Sequence, residues 1–168
     1  RIIAQPRPLH APADGAHVIA ITNDVLKANA SASDFGGYGA VQRVALTQVD
    51  KTVQISWTNP VYMANLYRMK EDLSGIKTQL ETVLGKGEPF GSKKGMPVKK
   101  LRKYHSMIMM PYFTDQVKLG SFASHAEAVE KVKAGLTVGL GETRLIYQID
   151  IPGKEETLFG VGILDGKG

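Results

Sequence analysis

The chain has 168 residues, of which 43% are hydrophobic and 22% are charged, and its formal net charge is +5. These values are typical of a globular protein long enough to bury a core without metal or disulfide cross-links. The chain has no Cys, which excludes disulfides, thiolate metal sites, iron–sulfur clusters, covalent c-type haem and Cys nucleophiles.

The first 16 residues predict an extended arm, because they contain Pro6, Pro8 and Pro12 and show no hydrophobic period. We interpret this arm as the linker left after a leader was removed, which favours a periplasmic or secreted location; a cytoplasmic location stays open. Residues 17–168 are expected to form a single α+β domain. No apolar run approaches the roughly 20 residues that cross a bilayer, so no transmembrane segment is expected.

Alternation of apolar and polar residues predicts a β-hairpin in the first half of the domain. A short strand is expected over residues 17–22. Residues 44–49 and 52–58 then alternate on either side of a turn, which indicates one wet face and one buried face. Trp57, the only Trp, falls on the buried side.

Three helices are predicted from their start signals and apolar stripes. Asn59 followed by Pro60 is a cap followed by proline in the first turn. A second stripe covers residues 73–84 and ends at Gly85. The third helix follows Ser124 and Glu127, which form a capping box, and His125 lies at its start.

A second hairpin is predicted near the end of the chain, with strands over residues 145–151 and 158–164. Gly160 and Gly162 leave one face of it bare, so another backbone or a flat ligand could approach closely. We expect a ligand pocket there, with Trp57 and Tyr112 among its aromatic walls.

This order of elements predicts an α+β fold: an antiparallel or mixed sheet with helices packed on one face, ferredoxin-like or tandem ferredoxin-like. Residues 55–60 (ISWTNP) and 149–154 (IDIPGK) resemble uncharacterised bacterial ferredoxin-like families, over residues 37–164. The resemblance implies the fold alone, and neither phrase carries a functional residue.

The stretch over residues 104–113 is rich in Met and is predicted to be a strand. Alternation would then place His105, Met107 and Met109 on one face, where imidazole and thioether ligands suit copper, with His125 or His17 completing the shell. Haem is a second hypothesis, with His105 or His125 as axial ligand and basic residues at the propionates. The alternative is core filling, which is the commoner role of Met.

A basic run precedes this stretch, because residues 86–103 hold seven Lys or Arg and one acid, Glu88. Such asymmetry indicates an anion or an acidic partner, although a solvated loop is the commoner meaning. Nucleotide hydrolysis is not expected, because a phosphate-loop motif is missing. A nucleic-acid partner is not expected either, since charge runs usually are solvated surface. The candidate anion- or partner-binding residues are Lys93, Lys94, Lys99, Lys100, Arg102 and Lys103.

The sequence contains no recognised catalytic motif. It therefore favours a non-catalytic, exported binding protein for a small ligand, a metal (copper or haem iron) or a protein partner. The alternative is an accessory subunit of a larger assembly that docks through its N-terminal arm and basic loop. An enzyme is the third hypothesis.

Overall fold

The computed structural model describes residues 15–91, 94–105 and 107–163. Most of the predicted arm therefore lies outside the described residues. Within them, no helix is both long and apolar enough to cross a bilayer. The elements in chain order are β1 (Ala16–Ile21), α1 (Asp24–Ser31), a 3-10 turn (Gly36–Gly39), β2 (Gln42–Val49), β3 (Thr52–Trp57), α2 (Pro60–Leu66), α3 (Ser74–Leu84), α4 (Val98–Leu101), α5 (His125–Thr137), a second 3-10 turn (Leu140–Glu142), β4 (Thr143–Asp150) and β5 (Thr157–Ile163).

The first sheet is antiparallel with strand order β1-β2-β3, and it confirms the predicted strand and hairpin. Val44 lies opposite both Ile19 and Trp57, so these three side chains share one face. This face is buried at the end that holds Val44. At the other end Val53 and Ile55 stay exposed, so the prediction of a fully buried face is wrong for half of the hairpin.

Side-chain caps begin the helices where the sequence indicates. The Asn59 side chain accepts a hydrogen bond from the Val61 amide at 3.0 Å, and Pro60 occupies the first turn of α2. The Ser124 hydroxyl accepts one from the Glu127 amide at 3.2 Å at the start of α5. Both predicted helix starts are confirmed.

The main core lies between the first sheet and helices α1 to α3. Tertiary packing at this core, more than propensity, holds such short helices in place. Its buried members are Leu26, Ala64, Met69, Leu73, Ile76 and Leu80, with Ile21, Trp57, Tyr67 and Leu84 packed against them.

Strands β4 and β5 form a separate antiparallel hairpin that packs on α1 and the Gly36–Gly39 turn. Ile151 is buried there against Ala30 and Ala40. The Ser31 hydroxyl also donates to the Pro152 carbonyl at 2.6 Å. The mixed helix and strand content and the antiparallel pairing confirm the α+β class. The expectation of one sheet is wrong for the described residues, since their strands make two.

Candidate functional site

An open pocket of about 320 Å³ lies beside α4. The chain continues as a tight turn after the helix, with the Lys103 amide donating to the Lys100 carbonyl at 3.1 Å. At about 100° per helical residue, Lys99, Lys100 and Lys103 fall within one arc, roughly opposite the buried Leu101. The pocket is lined by Met96, Lys99, Lys100, Lys103, Tyr104 and His105.

The pocket is cationic, because its lining has three ammonium groups and no carboxylate. In the described part of the chain, the ion pairs are Lys27–Asp24, Lys77–Glu81 and Lys154–Glu156, which involve none of these three lysines. Clustered charges of one sign in a concave surface raise the local concentration of counter-ions. The pocket is therefore suited to an anion.

Arg102 belongs to the same basic run but has a structural role. Its Nη1 donates to the Met69 carbonyl at 3.2 Å and to the Asn65 Oδ1 at 3.3 Å, and its own carbonyl accepts from Arg68 Nε at 2.8 Å. These bonds fasten α4 to α2. Because buried backbone and amide oxygens hold the guanidinium, it is absent from the pocket lining.

The two remaining basic candidates are Lys94 and Lys93. Lys94 is exposed and does not line the pocket. Lys93 lies outside the described residues. The basic run thus supplies three of its six predicted residues to one pocket.

His105 is the histidine at this pocket, and its ring is held in a fixed direction. Its Nδ1 lies 2.5 Å from the Met107 carbonyl oxygen. A carbonyl can only accept, so Nδ1 carries the hydrogen and Nε2 is left for another partner. The ring also meets Tyr112 edge to face at 5.1 Å, and the Arg68 guanidinium lies 5.3 Å from the Tyr112 ring centroid.

The predicted strand over residues 104–113 is absent from its described residues, which instead make a turn. The Met110 amide donates to the Met107 carbonyl at 3.0 Å, and Met109 has a φ of 73°. Alternation orders side chains only in an extended backbone, so His105, Met107 and Met109 do not form the predicted one-face ligand set. The methionine at the pocket of His105 is Met96, which the sequence did not indicate because it lies in a loop with no period.

The other two candidate metal ligands, His125 and His17, lie apart from the pocket. His125 Nε2 lies 3.0 Å from the Thr157 hydroxyl, which donates to Asp150 at 2.7 Å and so joins α5 to the second hairpin. His17 is exposed on β1. In residues 15–91, 94–105 and 107–163, no three His, Asp or Glu side chains are grouped to hold a metal ion.

The predicted pocket over Gly160 is occupied by the chain's own Tyr147. A Cβ on Gly160 would lie 2.2 Å from the ring atom Tyr147 Cε1, so only glycine allows the ring to lie there. The sequence correctly indicated close approach at this face, but the approaching group is a side chain of the neighbouring strand. Burial under this packing raises the pKa of Tyr147.

The remaining members of that predicted pocket also lie in packing contacts. A Cβ on Gly162 would lie 3.2 Å from Ile146. Trp57 packs on the main core, and Tyr112 contacts His105. The four residues predicted to line one pocket therefore have separate packing partners.

A row of aromatic rings forms one side of the site. Tyr38 stacks on Tyr67 at 4.8 Å, Tyr67 meets Phe113 at 6.4 Å, and Phe113 stacks on Tyr104 at 6.0 Å. Burial raises the pKa of Tyr67, and the neighbouring Tyr38 adds to this rise. The row gives Tyr104 a rigid support at the pocket wall.

A second cavity of about 420 Å³ lies at the Tyr38 end of this row. It differs from the first in charge, since its lining includes Asp34, Glu155 and Glu156. Lys154 Nζ lies 3.8 Å from Glu156 Oε2 and balances part of that charge.

Comparisons with protein-family models, with curated proteins and with solved structures found no match.

Proposed function

We propose that this protein is a non-catalytic binding protein for an anionic group, a phosphate or carboxylate carried on an apolar body. One observation supports the proposal above the others: Lys99, Lys100 and Lys103 all line a single open pocket whose lining contains no carboxylate. Three compact ammonium charges suit an anion held by charge and by rotatable donors.

The rest of the lining defines the kind of ligand. Met96 and Tyr104 supply apolar surface, and His105 Nε2 supplies one more polar contact. Ligand pockets usually combine such apolar walls with a few converging polar groups, and about 320 Å³ lies at the small end of their range. Phenyl phosphate has this combination in its simplest form.

Calorimetric titration at low salt tests the proposal, with phenyl phosphate and inorganic phosphate as probes. We expect the phenyl ester to bind more tightly, because its ring can pack on Met96 and Tyr104. The double variant Lys99→Gln/Lys103→Gln should lower the affinity for both probes by about tenfold or more, as expected when charge-assisted contacts are lost.

The matched control is Lys131→Gln/Lys133→Gln, which removes the same charge from exposed positions on α5. We expect this control to bind both probes as the wild type does at moderate salt. Equal weakening in the two double variants would show that net charge alone attracts the anion, and the proposal would then be wrong.

A second candidate function is that of an accessory subunit in a larger assembly. The specific observation in its favour is the exposed end of the first sheet, where Val53 and Ile55 of β3 face solvent on one side of the strand. Sedimentation velocity of the full chain in native extract tests it. A subunit should sediment as a larger particle, and Val53→Thr/Ile55→Thr should return it to the monomer mass.

Export and the ferredoxin-like plan are also proposals. The strand–helix–two-strand order of β1, α1, β2 and β3 supports the ferredoxin-like plan. The Pro-rich arm supports export. Fractionation of source cells tests export, since an exported protein is recovered outside the cytoplasmic fraction.

A further inference from the structure

The turn that follows the pocket exposes apolar side chains almost completely. Ile108 is 89% exposed and Met109 is 97% exposed, and Met107 and Met110 on either side are exposed too. We call residues 107–110 the apolar tip. Single exposed apolar residues are common on proteins, but four in succession on one turn mark an interaction site.

Local contacts define the conformation of the apolar tip. The Met110 amide bonds to the Met107 carbonyl at 3.0 Å, which closes the turn. Behind the tip, the Tyr112 amide donates to Asp115 Oδ2 at 2.8 Å, and the Tyr112 ring packs against His105. The tip is therefore an exposed, hydrogen-bonded turn, and the aromatic ring that follows it contacts His105.

The apolar tip adjoins the cationic pocket directly. The His105 ring lines the pocket, and its Nδ1 bonds to the Met107 carbonyl, the first residue of the tip. Lys99, Lys100 and Lys103 thus lie beside a group of exposed Met and Ile side chains. Apolar side chains flanked by lysines are the arrangement that binds the surface of an anionic membrane.

We propose that the protein docks on an anionic lipid bilayer, with the apolar tip inserted among the acyl chains and a lipid headgroup phosphate in the cationic pocket. The headgroup contact rests on the proposed anion-binding function. Each lysine near the surface adds electrostatic attraction, and the inserted side chains add the hydrophobic part of the binding.

The shape of the apolar tip favours a bilayer over a protein partner. A stable protein–protein interface buries about 800 Å² on each partner. The four side chains of the apolar tip by themselves offer less than that. A bilayer needs no complementary surface, because acyl chains close around any apolar group that enters them.

Vesicle co-sedimentation tests this docking. The probes are phosphatidylcholine vesicles with and without phosphatidylserine, and the protein is the full chain. We expect the wild type to bind the serine-containing vesicles about tenfold or more tightly than the neutral ones, and to lose this preference at high salt.

Two double variants separate the contribution of the apolar tip from that of the pocket lysines. Ile108→Ser/Met109→Ser, which removes the apolar side chains without adding charge beside the pocket, should lower vesicle binding about tenfold or more and leave the affinity for phenyl phosphate unchanged. Lys99→Gln/Lys103→Gln should lower both. The matched control for the tip is Val83→Ser/Val138→Ser, which changes two side chains that are 74% and 73% exposed elsewhere, and it should bind vesicles as the wild type does.

Several results would overturn the inference. Equal binding to both kinds of vesicle would show that the lysines make no contact with anionic headgroups. Equal loss in the tip variant and its control would show that the tip has no such role. Phenyl phosphate binding without vesicle binding would overturn docking and leave the proposed function intact. Tip-dependent vesicle binding without phenyl phosphate binding would refute the anion pocket and the headgroup contact built on it. A tip-dependent larger particle in extract, without vesicle binding, would replace the bilayer with a protein partner.

Discussion

Two turns of this chain carry a methionine and place it in opposite surroundings. Met69, after α2, is 1% exposed, whereas Met109 in the apolar tip is 97% exposed. The Met69 carbonyl accepts from Arg102, and its amide bonds to the Ala64 carbonyl at 2.8 Å. Met109 lies instead in an exposed turn, and its backbone has a φ of 73°. Methionine fills a gap only where other elements supply the walls of that gap.

The difference matters for function as well as for stability. Packing at Met69 explains why the chain keeps an apolar residue there, since its burial stabilises the fold. The same reasoning fails at Met109, because an exposed thioether contributes almost nothing to folding. The apolar tip therefore requires a reason outside the folded chain, and bilayer docking supplies one.

Truncation of the two methionines should give the largest contrast. Met69→Ala removes a buried side chain and leaves a cavity, so we expect it to lower the free energy of unfolding by about 2–5 kcal/mol. Met109→Ala should change it by less than about 0.5 kcal/mol. Urea unfolding of both variants measures this. Similar losses would show that the tip packs against the protein in solution, which would contradict the comparison.

Substitutions in the Gly36–Gly39 turn, which packs on Met69 through Gly39, should have the next largest effect on stability. A Cβ on Gly36 would lie 2.2 Å from the Ala30 carbonyl oxygen, so Gly36→Ala should cost about 3 kcal/mol, because backbone cannot move aside. Gly39→Ala should cost less, since it meets the flexible thioether of Met69. In contrast, Gly75→Ala in α3 meets nothing within 4 Å and should stabilise by about 0.5 kcal/mol. Thermal unfolding of the three variants ranks them, and a neutral Gly36→Ala would refute this tight packing.

The basic run should divide into one structural residue and a set of functional ones. Arg102→Gln deprives the Met69 carbonyl and Asn65 of a donor, so we expect a loss of about 1–3 kcal/mol in the free energy of unfolding. Lys100→Gln should change that free energy by less than about 0.5 kcal/mol, while it weakens phenyl phosphate binding. Equal stability of the two variants would show that Arg102 does not fasten α4 to α2.

The sequence predicted those elements whose signals are local. The caps at Asn59 and Ser124 and the alternation around Trp57 each depend on a few neighbouring residues, and the structure confirms them. The separation of β4 and β5 into their own sheet could not be predicted, because strand pairing depends on contacts between residues far apart in the chain. Tyr147 covers Gly160 from a neighbouring strand for the same reason.

The site was predictable in its charge but not in its shape. The basic run indicated an anion, yet composition cannot separate Lys103, which lines the pocket, from Arg102, which is bound to backbone. The apolar tip was predicted to be part of a strand, with metal ligation or core filling as its role, because an apolar run has the same pattern whether it faces a core or solvent. Pro111, which removes a backbone donor, was the one local signal against a central strand.

Alkaline titration should give the smallest effect, and it probes the Met69 side of the comparison through Tyr67. Burial, with a smaller effect from Tyr38, raises the pKa of Tyr67 above its usual value of about 10. Above that pH the unfolded chain loses the Tyr67 proton while the folded chain keeps it, so the free energy of unfolding falls as pH rises towards the folded pKa. Tyr67→Phe should reduce this fall, and the double variant Tyr67→Phe/Tyr147→Phe should reduce it further, because burial also raises the pKa of Tyr147. Urea unfolding at successive pH values above 9 measures the slope. An unchanged slope in the double variant would show that these rings are open to water, and the contrast between a packed interior at Met69 and an exposed tip at Met109 would then lose its support.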